Sequence, residues 1–381
     1  MKIRIALCGL VAAIALGIAP NGAAAQGSLS VQGLGYPPGQ FGTRALGTGG
    51  AMGEVDPTST VNPAAILEFG AAAMAMQIAP EFRKVTDGSS SSTSSTQRFP
   101  LFIGALPIGD NLMFGVSSST LLDRTWQTTT PQSQYSGGDT VLFNSTAKSD
   151  GSVNDFAFTA AYAVKSWFRV GVALHAINGR DVLTTTRTFQ DTVRYGNSLE
   201  DVTSTYTGNA ISAGMEMADP SVGGIALSYR RGGRFEQTLG DTLVSKARVP
   251  DRFGASAIFS GFSGTVLAIR TAYDEWSAFG AMDSASGAAR NSWDSSIGGE
   301  FSGARFGSLP LVFRAGARWR DLPFPADGQQ VHEGSVSGGL GLVMARGHAA
   351  FDLSMIRAQR SAGIGISESA WTMSAGITIR P

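Results

Sequence analysis

The sequence is short of what a soluble enzyme of its size relies on. Of 381 residues only one is cysteine and three are histidine, and charged side chains make up 15%. Cys8 lies in an N-terminal apolar run, so no disulfide can staple the remainder of the chain. His175, His332 and His348 are scattered and have no cysteine beside them. No zinc-ligand spacing results, and no metal or other cofactor is expected. A serine hydrolase needs a histidine and an orienting group held against its nucleophile. Serine is too abundant here for proximity to single one out, and the chain does not read as an enzyme. There is no basic tail and no acidic block, which argues against nucleic acid as a partner. Beyond the N-terminal run, no apolar stretch reaches the ~20 residues of a membrane-spanning helix. That excludes a helical membrane protein.

What is present begins with an address. "MKIR" is a short basic head, "IALCGLVAAIALGIA" an apolar core and "NGAAAQ" a small-residue end. This is the layout of a secretory signal peptide, residues 1–25, cut after Ala25. Its loss removes Lys2 and Arg4 and no acid, which leaves a chain of formal net charge +0 slightly acidic.

From Phe69 onward the dominant signal has period two, in segments of roughly ten residues. In "WTMSAGITIR", Trp371, Met373, Ala375, Ile377 and Ile379 fall on one face, opposite Thr372, Ser374, Gly376, Thr378 and Arg380. "LVFRAGARWR" sets Leu311, Phe313, Ala315, Ala317 and Trp319 against Val312, Arg314, Gly316, Arg318 and Arg320. A soluble sandwich would bury its apolar face between two sheets. Here the opposite face is glycine, serine, threonine and charge, which makes a poor solvent-facing sheet and a good lumen wall. A closed barrel also removes the sheet edges that lipid would leave unsatisfied. The fold class is therefore all-β: a transmembrane antiparallel barrel of about fourteen strands, residues 69–381, apolar side outward. Short connections such as "GDN" and "GFSG" alternate with longer ones, as expected for periplasmic turns and outer loops. The polar stretch 128–151 contains "DTVLFNSTA", which leaves sixteen strands open.

Ahead of the barrel, residues 26–68 are rich in glycine and poor in bulky apolar residues. In "TVNPAAILEF", Asn62 suits a helix N-cap and Pro63 the first helical position, predicting a short helix from Pro63 to Glu68. Gly49 and Gly50, with Gly47 and Gly53, permit positive φ and close approach to a wall. The segment has too little apolar content to stand alone. It is expected to fold as a plug, with short helices, inside the barrel.

"GTRALGTGGAMGEVDPTSTVNPAAI" is similar to the N-terminal hatch of the FadL-type outer-membrane channels for long-chain fatty acids and other hydrophobic compounds, including its Asn62-Pro63-Ala64 turn. "RFPLFIGALPIGDNLMFGVSSS", with Pro100 and Pro107, resembles that family's second and third strands, and "VPDRFGASAIFSG" and "FRAGARWRDLPFP" match its habits. The resemblance extends to a branch that serves protein secretion. One departure is the ending "TIRP", where outer-membrane barrels commonly end in an aromatic residue.

The resemblance implies a bacterial outer-membrane location among lipids and lipopolysaccharide, and passive uptake of fatty acid-like or other hydrophobic small molecules. The alternative is a non-transporting barrel that anchors or scaffolds secretion-system proteins. Arg314, Arg318 and Arg270 share inward parity. They read either as a station for a substrate carboxylate or as braces paired with acids such as Glu300 and Asp352. Leu121, Leu122 and Trp126 are expected to capture apolar substrate from outside. The family's third strand carries a kink that opens the wall laterally. Gly115 and Ser117, with the small residues after them, offer a site for it, or simply mark the strand leaving the membrane.

Overall fold

The structure, a computed structural model, describes residues 29–88, 90–136, 139–219, 221–282 and 288–380. The signal-peptide expectation for residues 1–25 lies outside them. Eighteen strands are present among the described residues. The chain rises through β1 (Ala73–Ile78) and β2 (Glu81–Asp87), and returns through β3 (Ser90–Thr96) and β4 (Leu101–Ile108). Next come β5 (Leu112–Asp123), β6 (Trp126–Ser136), β7 (Asp139–Lys165), β8 (Phe168–Phe189) and β9 (Ser198–Asp219). β10 (Gly223–Leu239), β11 (Thr242–Arg248), β12 (Arg252–Phe262) and β13 (Thr265–Asp274) follow. β14 (Ser292–Phe306), β15 (Leu309–Ala326), β16 (Gln329–Met344), β17 (Ala349–Ser361) and β18 (Ile366–Ile379) complete the sheet.

Fourteen of these strands form one closed antiparallel wall: β1, β4, β5, β7 to β10 and β12 to β18, with β18 pairing back onto β1. The hairpin suspected in 128–151 exists, Ser136 facing Asp139. It extends the third and fourth wall strands beyond the barrel without adding wall strands. Its Ser/Thr-rich sequence pairs well across strands, as in the 3.0 Å Thr129–Thr146 hydroxyl contact. Much of the polar sequence expected as loop is thus strand.

The two-residue period decides which way each side chain points. On β15, Phe313 and Trp319 are 45% and 57% exposed, whereas Arg314 and Arg318 between them are buried. Met74, Phe114, Val172, Leu174, Ile269 and Leu340 continue the apolar band around the outside. The turn Asp327–Gly328 joins β15 to β16 with positive φ at both residues (47° and 69°), the geometry whose twist matches the flanking strands.

Two prolines interrupt the first wall strands at one level. Proline has no N–H to donate to a ladder, and β1 breaks from β2 at Ala79–Pro80 while β3 breaks from β4 just before Leu101. The Pro80 carbonyl still accepts from Met373 N at 3.0 Å, and that of Pro100 from Thr120 N at 3.0 Å. β13 ends at Asp274, and Trp276–Phe279 forms a 3-10 turn. Its three-residue spacing turns Trp276 and Phe279 together into the interior, where both are buried.

Candidate functional site

Residues 29–69 run through the lumen. They contain a 3-10 turn at Leu29–Val31, the helix α1 at Thr43–Gly47 and a 3-10 helix at Pro63–Phe69. Asn62 caps the last as its sequence suggests. Its side chain accepts from Ala64 N at 3.1 Å, and its Nδ2 donates to the Glu54 carbonyl at 2.7 Å. The helix is 3-10 rather than α and runs one residue past Glu68.

Glycine on the wall makes room for this backbone. A Cβ added to Gly298 would lie 2.2 Å from the Thr48 carbonyl oxygen, and one on Gly316 2.1 Å from its carbon. Gly49 and Gly50 hold φ of 70° and 90°, which carries the chain past Ala317. Segment and wall are then tied by charge. Glu54, fully buried, accepts from Arg270 Nε at 3.1 Å, Arg252 Nη2 at 3.2 Å and the Ser228 hydroxyl at 2.7 Å.

Higher up, Tyr36 sits among four guanidinium groups. Those of Arg360, Arg320, Arg98 and Arg83 lie 4.5, 4.8, 5.0 and 6.0 Å from its ring centre. Its hydroxyl donates to Glu333 at 3.0 Å, accepts from Arg360 Nη2 at 2.9 Å and meets Arg320. Burial raises the Tyr36 pKa above its ordinary value against the pull of both arginines, which keeps the proton it donates. Glu81, Asp123, Glu333 and Glu368 pair with the same four arginines, so the cluster is charge-balanced.

The arginines singled out from the sequence are engaged in the same way. Arg314 donates to Glu300 and Asp352, each at 2.6 Å. Arg318 forks onto Asp294 at 2.7 and 2.8 Å, and Arg270 reaches Asp294 at 2.9 Å besides Glu54. The bracing partners foreseen for Arg314 are present. Asp294, the partner of Arg318, was not foreseen, because it depends on the β14–β15 register.

Leu121 and Leu122 do not stand in an outer loop. β5 parts from β4 after Ser119 but stays paired with β7 as far as Asp123, with a register shift between Thr120 and Leu122, and every residue from Ser119 to Asp123 is buried. Tyr36 and Asp123 exchange two backbone hydrogen bonds at 2.8 Å. The β4–β5 ladder ends at Leu101–Ser119, and above it β3 pairs with β2 alone among the described residues. The departure begins beyond Gly115 and Ser117, which remain paired in the wall. Trp126, half-buried, opens β6. Leu121 and Leu122 instead join an apolar cluster with Leu34, Phe235, Trp276 and Phe279 across the upper lumen.

Below this cluster are small cavities. One of about 50 Å³ lies between Tyr36, Phe41 and Leu46 of the segment and Gln77, Pro100 and Ile356 of the wall. Another of about 40 Å³ borders Leu121, Trp276 and Arg230. Beneath the segment, about 310 Å³ opens around Arg44, Asp56, Arg314 and Asp352.

Sequence reasoning also missed a hydrogen-bonded series on three adjacent strands. Ser212 Oγ lies 2.8 Å from His175 Nε2, and His175 Nδ1 2.8 Å from Asp155. Gln40 of the segment donates to Asp155 at 3.0 Å. Ser212 is buried, and β9 is laddered on both sides at that residue, to Arg230 and to Ala173. Its strand backbone therefore offers no free N–H pair for an oxyanion, and the series ties wall to segment.

No family model matches the chain, and no curated protein matches its sequence. Solved structures do. A FadL homologue of Pseudomonas aeruginosa aligns at TM-score 0.64 and 12% identity, over 91% of this chain and 99% of the other. The toluene transporter TbuX of Ralstonia pickettii gives 0.61 and 14%, over 93% and 100%. The toluene transporter TodX of Pseudomonas putida gives 0.56 and 12%, over 89% and 97%. At these identities the shared property is the fold.

Proposed function

We propose that this chain, with the fold of the FadL-type channels, sits in a bacterial outer membrane and admits hydrophobic small molecules by diffusion. The observation that carries this reading is the parting of the wall above Leu101 and Ser119. There β5 turns Leu121 and Leu122 into an interior apolar cluster and leaves the edge of β3 unpaired by it. A molecule held in the cluster would meet lipid at that parting, beside the buried Arg98–Asp123 ion pair. Residues 26–68 act as the plug and residues 69–381 as the barrel, and outer-membrane lipids and lipopolysaccharide surround the apolar band. Similarity to the toluene transporters TbuX and TodX supports an apolar cargo, with long-chain fatty acids as the alternative. A carboxylate at Arg314, Arg318 or Arg270 would have to compete with the protein carboxylates those residues already hold. A barrel that scaffolds secretion has no evident use for the inward turn of β5.

Uptake by cells tests the reading. Cells expressing the protein should accumulate a labelled hydrophobic compound faster than cells without it. Replacing Leu121 and Leu122 together with Asp should remove most of that gain while the barrel still assembles. Equal uptake with and without the protein would overturn the proposal.

The membrane assignment has its own test. Leu340→Arg, halfway up the outward face, should cost about 2–4 kcal/mol of folding stability in bilayers, and Leu199→Arg, high on β9, about 0–1 kcal/mol. Equal costs would contradict a lipid-facing band. Ser337→Arg is no mild control, since Ser337 Oγ donates to the Gly47 carbonyl at 3.1 Å and the lumen there is filled.

A further inference from the structure

Gln77 is the one amide on the inward face of β1, and it is 4% exposed. Neither its Oε1 nor its Nε2 has a hydrogen-bond partner. Burying an amide without partners is costly, so a glutamine at this position calls for a partner that the protein itself does not supply. The side chain lines the cavity of about 50 Å³ between the N-terminal segment and the wall. Arg98 lines the same cavity, and its Nη2 also lacks a partner. The rest of the lining mixes apolar Phe41, Leu46, Ala79, Pro100 and Ile356 with the ion-paired Glu81, Glu333 and Arg360. Ala79 and Pro100 belong to the paired proline breaks, at the level where the β4–β5 ladder ends. The cavity therefore lies just inside the parting of the wall.

Resting on the uptake reading above, we propose that this cavity is a selectivity station for the one uncharged polar group of a mostly apolar molecule, with Gln77 as the recognition residue. The apolar body of that molecule stays toward the parting, because about 50 Å³ is too small for a ring. An amide presents a donor and an acceptor side by side, and a hydroxyl on the ligand satisfies both. Arg98 Nη2 adds a second donor to the same oxygen or to a carbonyl. A carboxylate is disfavoured, because the surrounding arginines are already matched by Glu81, Asp123, Glu333 and Glu368. Adding a further negative charge would leave one buried charge uncompensated. A pure hydrocarbon is admitted but leaves the amide unpaired. The discrimination follows the rule that a site built to hydrogen-bond a hydroxyl rejects the analogue lacking it.

The test uses the full barrel in nanodiscs, with binding of benzyl alcohol, toluene and benzoate followed by ligand-observed NMR. Wild-type protein should rank benzyl alcohol first and benzoate last. In Gln77→Leu and Gln77→Met, which keep the side-chain volume, the preference for benzyl alcohol over toluene should fall about tenfold. The heat-modifiable gel shift of a folded barrel verifies assembly, and the wild-type ranking stands even if a variant fails to assemble. If the amide only holds water, the ranking will be flat and both variants will bind all three compounds as wild type does, which overturns the station. If toluene enters cells through the protein while the ranking is flat, the station fails and the uptake reading survives. If none of the three binds and none enters cells, both fail.

Discussion

Deletion of residues 26–60 is expected to turn a closed barrel into one that conducts ions in planar bilayers and passes small hydrophilic solutes. The wall should still assemble, because its ladder closes through β18 and β1 without any residue of the segment. The deleted stretch supplies Tyr36, Phe41, Thr48 and Glu54, which fill the lumen against Arg360, Arg318, Gly316 and Arg270 respectively. Without it those arginines keep their wall carboxylates and face water, where charge is inexpensive to solvate. The remaining Pro63–Phe69 helix packs beside β7, β8 and β9 on one side of the barrel and cannot close the lumen alone. Conductance unchanged from that of the intact protein would show that residues 26–60 do not occlude the pore.

Replacement of Arg360 with Met is expected to lower stability by about 3–5 kcal/mol, since it leaves buried acids without their partner. Arg360 is 1% exposed and donates to Glu333 at 2.6 Å, to Glu81 at 3.4 Å, to the Tyr36 hydroxyl at 2.9 Å, and to Glu368. The methionine keeps most of the apolar stem, so the loss reports charge and hydrogen bonding rather than volume. Lys148→Met is the comparison. Lys148 meets Asp150 at 3.1 Å, with both side chains about half or more exposed, and water screens such a pair to little net effect. Urea unfolding followed by tryptophan fluorescence would read both. Similar midpoints for the two variants would mean that the lumenal cluster adds no stability.

The wall was legible in the sequence because a strand's facing is a local property. Each residue points opposite to its neighbours, so "LVFRAGARWR" alone puts Phe313 and Trp319 outside and Arg314 and Arg318 inside, whatever the rest of the chain does. Counting segments of the right length led to about fourteen wall strands, and sixteen stayed open until the 128–151 hairpin was seen to extend the wall strands rather than add to them. The Asn62 cap and the need for glycine at Gly49 and Gly50 were legible too, since capping and positive φ are set within a few residues.

What only the tertiary structure decided are pairings between residues far apart in the chain. Arg270 and Glu54 are separated by 216 positions, and nothing near either one announces the other. The inward turn of β5 was hinted at by its run of small residues. Its start at Ser119, and the burial of Leu121 and Leu122, go with long-range contacts: the bridge from Tyr36 to Asp123 and the packing of both leucines with Leu34, Phe235 and Trp276. Leucines that read as outer capture residues lie inside for that reason. Gln77 looks like any polar residue on an inward face. Its unpaired amide exists only because two proline breaks and the N-terminal segment leave a cavity beside it. Period and propensity act over a turn or a strand, and so the sequence by itself determined a barrel, its inside and its outside. Lumenal contacts are set by strand register and by a segment threaded from one end, and these arise only when the sheet closes.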